Sequence, residues 1–94
     1  MIKTVQDEVY NRLKTNIGFD KSKKHLKWVG SKNPGKVLHH LTGSYTGIKT
    51  SDYSVIPLTP EEHEKAERDK SNFAIENLHI LIKILIERIK ELEK

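Results

Sequence analysis

Cysteine is absent from this chain of 94 residues, which excludes both a disulfide framework and a thiolate-bound zinc knuckle. Any metal chemistry must therefore rest on histidine and carboxylate ligands. Apolar residues are scarce, at 35% with a mean hydropathy of -0.64, leaving material for one modest core and none for a two-domain enzyme. Long apolar runs are missing too. The richest stretch, 78–89, is interrupted by His79, Lys83, Glu87 and Arg88, and the amino-terminal residues lack the continuous apolar segment of a signal peptide. The expectation is a soluble cytoplasmic protein with no membrane partner. Internal repeats and low-complexity linkers are absent, so residues 1–94 read as a single domain.

Acidic side chains are absent from one particular stretch. Lys21, Lys23, Lys24, Lys27, Lys32 and Lys36 follow one another with no acid between Lys21 and Lys36. The net charge of +4 conceals this asymmetry: residues 1–58 carry ten basic and four acidic side chains, and residues 59–94 carry seven and nine. A basic run of this kind is either a solvated face or a nucleic-acid contact.

What is present organises into four helical segments around a short extended section. Val5, Val9 and Leu13, with Ile2 before them, predict a first helix over about 3–15, ended by Gly18. Asp20 is placed to cap a second short helix that carries Leu26, Trp28 and Val29 and ends at Gly30, Asn33, Pro34 and Gly35. Val37–Leu41 and Tyr53–Pro57 read as a two-stranded ribbon with a long Gly/Ser/Thr-rich connection. Thr59-Pro60-Glu61-Glu62 then forms a complete helix start, with Thr59 at N-cap, Pro60 at N1 and Glu62 closing a capping box. That helix is expected to run to about 69. A last helix of roughly twenty residues should open at Ser71 or Asn72 and end near Leu92.

The chemistry-bearing residues are His39-His40, Asp52, His63 and Glu67. His63 and Glu67 are four apart and share one helix face, so a nitrogen and an oxygen there can grip one divalent ion. A third ligand from the preceding ribbon would complete a cage with positions left for water and a phosphate oxygen. Adjacent residues of a strand point to opposite faces, which suits a division of labour between the two histidines. One binds the ion and the other takes a proton from water, since imidazole titrates close to neutrality. The alternative is that the pair is surface or packing histidine and that His63 and Glu67 are an ordinary exposed helical pair. His25, beside Leu26 and Trp28, reads as a helix-surface or packing residue rather than a ligand.

Over residues 24–67 the chain resembles the HNH (ββα-metal) nuclease superfamily, and within it the small phage recombination-associated nucleases. The residues that carry the resemblance are Lys24-His25-Leu26-Lys27-Trp28-Val29, His39-His40-Leu41, Gly47-Ile48-Lys49-Thr50-Ser51-Asp52-Tyr53, Val55-Ile56-Pro57-Leu58 and the helix with His63. The resemblance implies an α+β fold, mainly helical, with a two-stranded ribbon and helix forming a ββα-metal core over 36–70. It implies that His39 is the first-strand metal ligand, His40 the general base, Asp52 the residue that orients the base, and His63 and Glu67 the helical ligands. The implied activity is metal-dependent hydrolysis of DNA phosphodiester bonds, in a phage- or prophage-encoded protein. Departures are also present. Asn33-Pro34-Gly35 and Thr59 stand where such proteins commonly carry zinc-binding cysteines, Glu62-His63 where they often have His-His, and Glu67 where they often have histidine. A carboxylate ligand favours Mg²⁺ or Mn²⁺, with Zn²⁺ or Ni²⁺ also accepted. It equally suits a scaffold that has lost its chemistry. The lysines expected to contact DNA phosphates without strong sequence specificity are Lys36 and Lys49 foremost, then Lys24, Lys27 and Lys32.

The final segment, 71–94, carries Ile75, Leu78, Ile82, Leu85, Ile89 and Leu92 at alternating spacings of three and four, an uninterrupted heptad seam. Ile80, Leu81, Ile84 and Ile86 widen it. Part of this surface is expected to pack on the Val5-Val9-Leu13 helix, and the rest to make a homodimer through Leu78, Ile82, Leu85 and Ile89. The rival function is therefore a catalytically inactive dimeric DNA-binding or assembly protein on an HNH-like scaffold. An adaptor that binds a partner through residues 73–92 is a third.

Overall fold

The computed structural model describes residues 4–45 and 47–94, with the backbone alone at 44 and 45. Helix α1 (Val5–Ile17) begins at Thr4, whose side chain accepts from the Asp7 N–H while the Asp7 carboxylate accepts from Thr4, a reciprocal capping box. The expected start at residue 3 and the contribution of Ile2 lie outside the described residues. Gly18, at φ 83°, ends the helix in a conformation that favours glycine. The buried residue of α1 is Tyr10, whereas Val5 and Val9 face solvent. The helix is thus rotated away from the expected Val5-Val9-Leu13 face, in favour of burying its one aromatic ring.

Helix α2 (Lys23–Lys32) is capped by Ser22, not by Asp20. The Ser22 hydroxyl accepts from the His25 N–H at 3.1 Å, while the Asp20 carbonyl accepts from the Asp52 N–H at 2.8 Å. The α2 residues turned inward are His25 and Val29.

Strands β1 (Val37–His40) and β4 (Val55–Leu58) form the antiparallel ribbon, with Val37 opposite Leu58 and His40 opposite Val55. The second strand begins two residues later than expected because Asp52–Ser54 is a 3₁₀ turn, capped by the Ser51 hydroxyl. The long connection is not a plain loop: β2 (Ser44–Tyr45) and β3 (Ile48–Lys49) pair as a second, short antiparallel ladder. Three buried hydroxyls tie the connection together. Thr42 and Thr50 share a hydrogen bond of 2.6 Å, and Ser54 donates to the Ser51 carbonyl at 2.7 Å.

From β4 the chain passes directly into α3 (Pro60–Arg68), with the Thr59–Glu62 capping box and Pro60 in the first turn as the sequence predicts. The expected single terminal helix is instead two, α4 (Lys70–Glu76) and α5 (Leu78–Leu92). They part at Asn77, whose side-chain amide donates to the Phe73 carbonyl at 2.9 Å. Asparagine competes in this way with the regular helical ladder. Within α5 the residues expected to make a dimer divide: Leu78 and Leu85 pack against the core of their own chain, while Ile82 and Ile89, with Ile86 and Leu92, stay exposed. Helix α1 packs on α4, and α5 lies on β4.

The core joins Tyr10, Leu41, Ile56, Leu58, Ala66, Ala74 and Leu81. The fold is therefore α+β and mainly helical, with a two-stranded antiparallel ribbon joined to a helix and a long C-terminal helix, as expected. No described helix is long and apolar enough to cross a membrane.

His25 is a packing residue with an energetic cost. It is fully buried, with ring centroids 6.0 Å from Trp28 and 4.9 Å from Tyr53, and neither ring nitrogen has a hydrogen-bond partner among the described residues. Burial, reinforced by Arg88 and opposed by Asp52, holds its pKa below the ordinary imidazole value. Its contribution to stability is complete above about pH 6.5 and is lost as pH falls through the folded-state value, because the unfolded chain binds the proton more readily. His25→Leu should raise stability by about 1 kcal/mol at pH 7, the relief of unpaired nitrogens exceeding the lost ring contacts. The gain should widen on acidification. Thermal melts at pH 7 and pH 5 check this, and equal shifts at the two pH values would contradict it.

Candidate metal centre

The ribbon and α3 bring three ligand-type side chains to one place. His39 Nδ1 lies 3.9 Å from Glu67 Oε1 and His63 Nε2 lies 3.5 Å from the same oxygen. The three candidate ligand atoms all fall within 4.8 Å of one another. His39 reaches the group from β1, and the other two stand one turn apart on α3. The capping box that starts α3 sets this phase, and fully buried Ala66 seats the helix against the core.

His39 is buried, and its ring meets His63 edge-on with centroids 5.2 Å apart. Burial and the neighbouring His63 depress its pKa, partly opposed by Glu67. The depression favours the neutral ring, the state that a metal-ligating imidazole requires. Two imidazole nitrogens and one carboxylate oxygen are a donor set that a divalent ion accepts, and the residues present fit one.

His40 turns the other way. Its Nε2 lies 2.9 Å from Asp52 Oδ1, and Asp52 is itself largely buried, accepting from the Ser22 N–H at 2.8 Å through Oδ2. Burial alone would raise the Asp52 pKa. Hydrogen bonds from His40 and the Ser22 N–H, with Lys21 nearby, outweigh it and hold the carboxyl below its ordinary value. An ionised carboxylate accepts only, so His40 Nε2 is the donor in this hydrogen bond. The strand's alternation thus sends one histidine to the carboxylate of α3 and its neighbour to the 3₁₀ turn.

Both histidines border one open cleft of about 140 Å³, lined also by Leu38, Gly43, Lys49, His63, Glu67 and Lys70. Gly43 has φ 69°, and a Cβ there would meet the Tyr10 hydroxyl at 2.7 Å, so a side chain at this position would have to displace Tyr10. Of the expected phosphate contacts, Lys49 lines the cleft. Lys24, Lys27 and Lys36 are exposed outside it. Lys32 sits 3.1 Å from Glu91 and over the Trp28 ring, in a cluster that Arg88 completes and in which the Trp28 Nε1–H also donates to Glu91. Lys32 is therefore engaged with α5. The sequence reading missed Lys70, whose Nζ is 3.4 Å from Glu67 Oε2. The i,i+3 spacing from Glu67 was legible, but the expected helix end near 69 hid it.

Comparison with protein-family models, with curated proteins and with solved structures finds no match to this chain. The class rests on the arrangement itself: a His/Glu cluster within metal-coordinating reach on a ββα frame, a metal-binding, nuclease-like fold.

Proposed function

We propose that this protein is a metal-dependent endonuclease of HNH type that hydrolyses DNA phosphodiester bonds. The observation that carries the reading is that a three-ligand cluster, His39, His63 and Glu67, and a separate carboxylate-held histidine, His40, border one cleft. His39, His63 and Glu67 would hold the ion, with Mg²⁺ or Mn²⁺ favoured by the carboxylate. When bound, a divalent ion supplies Lewis-acid stabilisation of charge developing on phosphate oxygens. His40 accepts a proton from the attacking water at Nδ1, and Asp52 fixes the ring and stabilises the imidazolium that results. Lys49 faces the phosphate at the cleft, while Lys24, Lys27 and Lys36 add contacts along the flanking backbone without reading bases.

Incubating the protein with supercoiled plasmid and Mg²⁺, Mn²⁺, Ni²⁺ or Zn²⁺ should produce nicked or linear product. No cutting with any of these ions overturns the enzymatic reading.

In a second reading, an inactive dimeric DNA-binding or assembly protein on the same scaffold, the exposed Ile82, Ile86, Ile89 and Leu92 of α5 carry the function. Both readings expect self-association through this face. Sedimentation at tens of micromolar should give twice the chain mass, and a lone 10.9 kDa species would remove the dimer from either.

A further inference from the structure

Glu67 has two oxygens with two different partners. Oε1 faces His39 and His63, and Oε2 faces the ammonium of Lys70 at 3.4 Å. Lys70 opens α4 immediately after Asp69, with its side chain about half exposed at the mouth of the cleft. Lys49, from β3, reaches the same cleft from a different element, and these two are the cationic side chains among its described lining residues. In the absence of an ion the Glu67 carboxylate is shared between the two imidazoles and the Lys70 ammonium. A divalent ion on the same carboxylate would place positive charge beside Lys70 and weaken the hold of Glu67 on it. The substrate's phosphodiester is an anion, so the freed ammonium would have a partner in the same cleft.

We propose that Lys70 is a phosphate-binding residue of this centre, held by Glu67 in the metal-free protein and released to the substrate phosphate when Glu67 turns to an ion. The proposal rests on the metal-centre reading above. It couples two binding events: loading the ion strengthens DNA binding, and by reciprocity DNA strengthens ion binding, with Lys70 carrying part of the coupling.

The test uses the full chain with His40→Ala throughout, so that bound DNA is not consumed, and adds Lys70→Gln or Lys70→Arg. Mn²⁺ affinity is measured by titration calorimetry, duplex affinity by anisotropy of a labelled oligonucleotide with and without Mn²⁺, and folding by thermal melting. Lys70→Gln should bind Mn²⁺ in the absence of DNA about three-fold more tightly, the size of one screened ion pair removed. The gain in duplex affinity conferred by Mn²⁺ should shrink by at least a similar factor. Lys70→Arg should keep the parent values. Unchanged Mn²⁺ affinity and an unchanged gain in Lys70→Gln overturn the proposal. An equal loss of duplex affinity with and without Mn²⁺ also overturns it, because Lys70 is then an ordinary backbone contact. If the His40→Ala parent binds no Mn²⁺, the metal-centre reading itself falls and this proposal falls with it.

Discussion

His40→Ala should lower the rate of metal-dependent plasmid cleavage by about 10²- to 10⁴-fold, the range spanned by a single general base. Mn²⁺ affinity should be nearly unchanged, because His40 is directed to Asp52 at 2.9 Å while the three candidate ligands lie elsewhere. This separation makes the prediction specific. A histidine that served only to pack would alter the melting temperature and the rate together, and a fourth ligand would alter the rate and the metal affinity together. Asp52→Asn should give a rate between those of the parent and His40→Ala, since the amide no longer compels His40 Nε2 to carry the proton. It should also cost stability, because Asp52 holds the Ser22 N–H at the start of α2. Comparing cleavage rates and melts of the three proteins separates proton transfer from scaffolding. A His40→Ala protein that cuts at the parent rate would remove this histidine from the chemistry.

Thermal stability should rise strongly with divalent metal. The ligands come from β1 and α3, so an ion would join the ribbon to the helix that follows it. An ion present at about a hundred times its Kd adds roughly 2.7 kcal/mol to folding. For a chain of this length that corresponds to an increase in Tm of about 10–20 °C. EDTA should abolish the increase. His63→Ala should do the same while leaving the metal-free melt close to that of the parent, because the His63 side chain is already about one-third exposed. His39→Ala is the less clean variant, since His39 is buried against His63 and Phe73 and its removal opens a cavity. A melt insensitive to Mn²⁺, Zn²⁺ and EDTA alike would contradict a metal centre built on these residues.

Much of the site was legible because its determinants are local. The Thr59-Pro60-Glu62 start fixes the phase of α3 and so sets His63 and Glu67 on one face. Strand alternation sends His39 and His40 to different partners. The juxtaposition of His40 with Asp52 was expected only through family resemblance, since spacing alone does not fold the connection between them. That fold depends on buried hydroxyls and on backbone bonds from residues 51 and 52 to Gly18 and Asp20. The orientation of α1 departs from its periodicity, in which a valine stripe outweighs a single tyrosine. Burial of Tyr10 against Gly43 and the core decides the rotation instead. The terminal helix was read as continuous because hydrophobic spacing passes through position 77 undisturbed, whereas the break comes from the asparagine side chain returning to its own backbone.

The Trp28–Glu91 hydrogen bond spans 63 residues, and the Ser71–Asp7 bond spans 64. Every candidate ligand and base lies between positions 39 and 67, within a single ribbon and helix. Ribosomal synthesis therefore exposes the whole candidate-site segment before the helices that clasp α1 and α2 exist, and contacts of such long separation close late. The centre is a short-range structure set inside a frame that closes only once α4 and α5 are in place, so truncation within α5 should open the frame from its far end first.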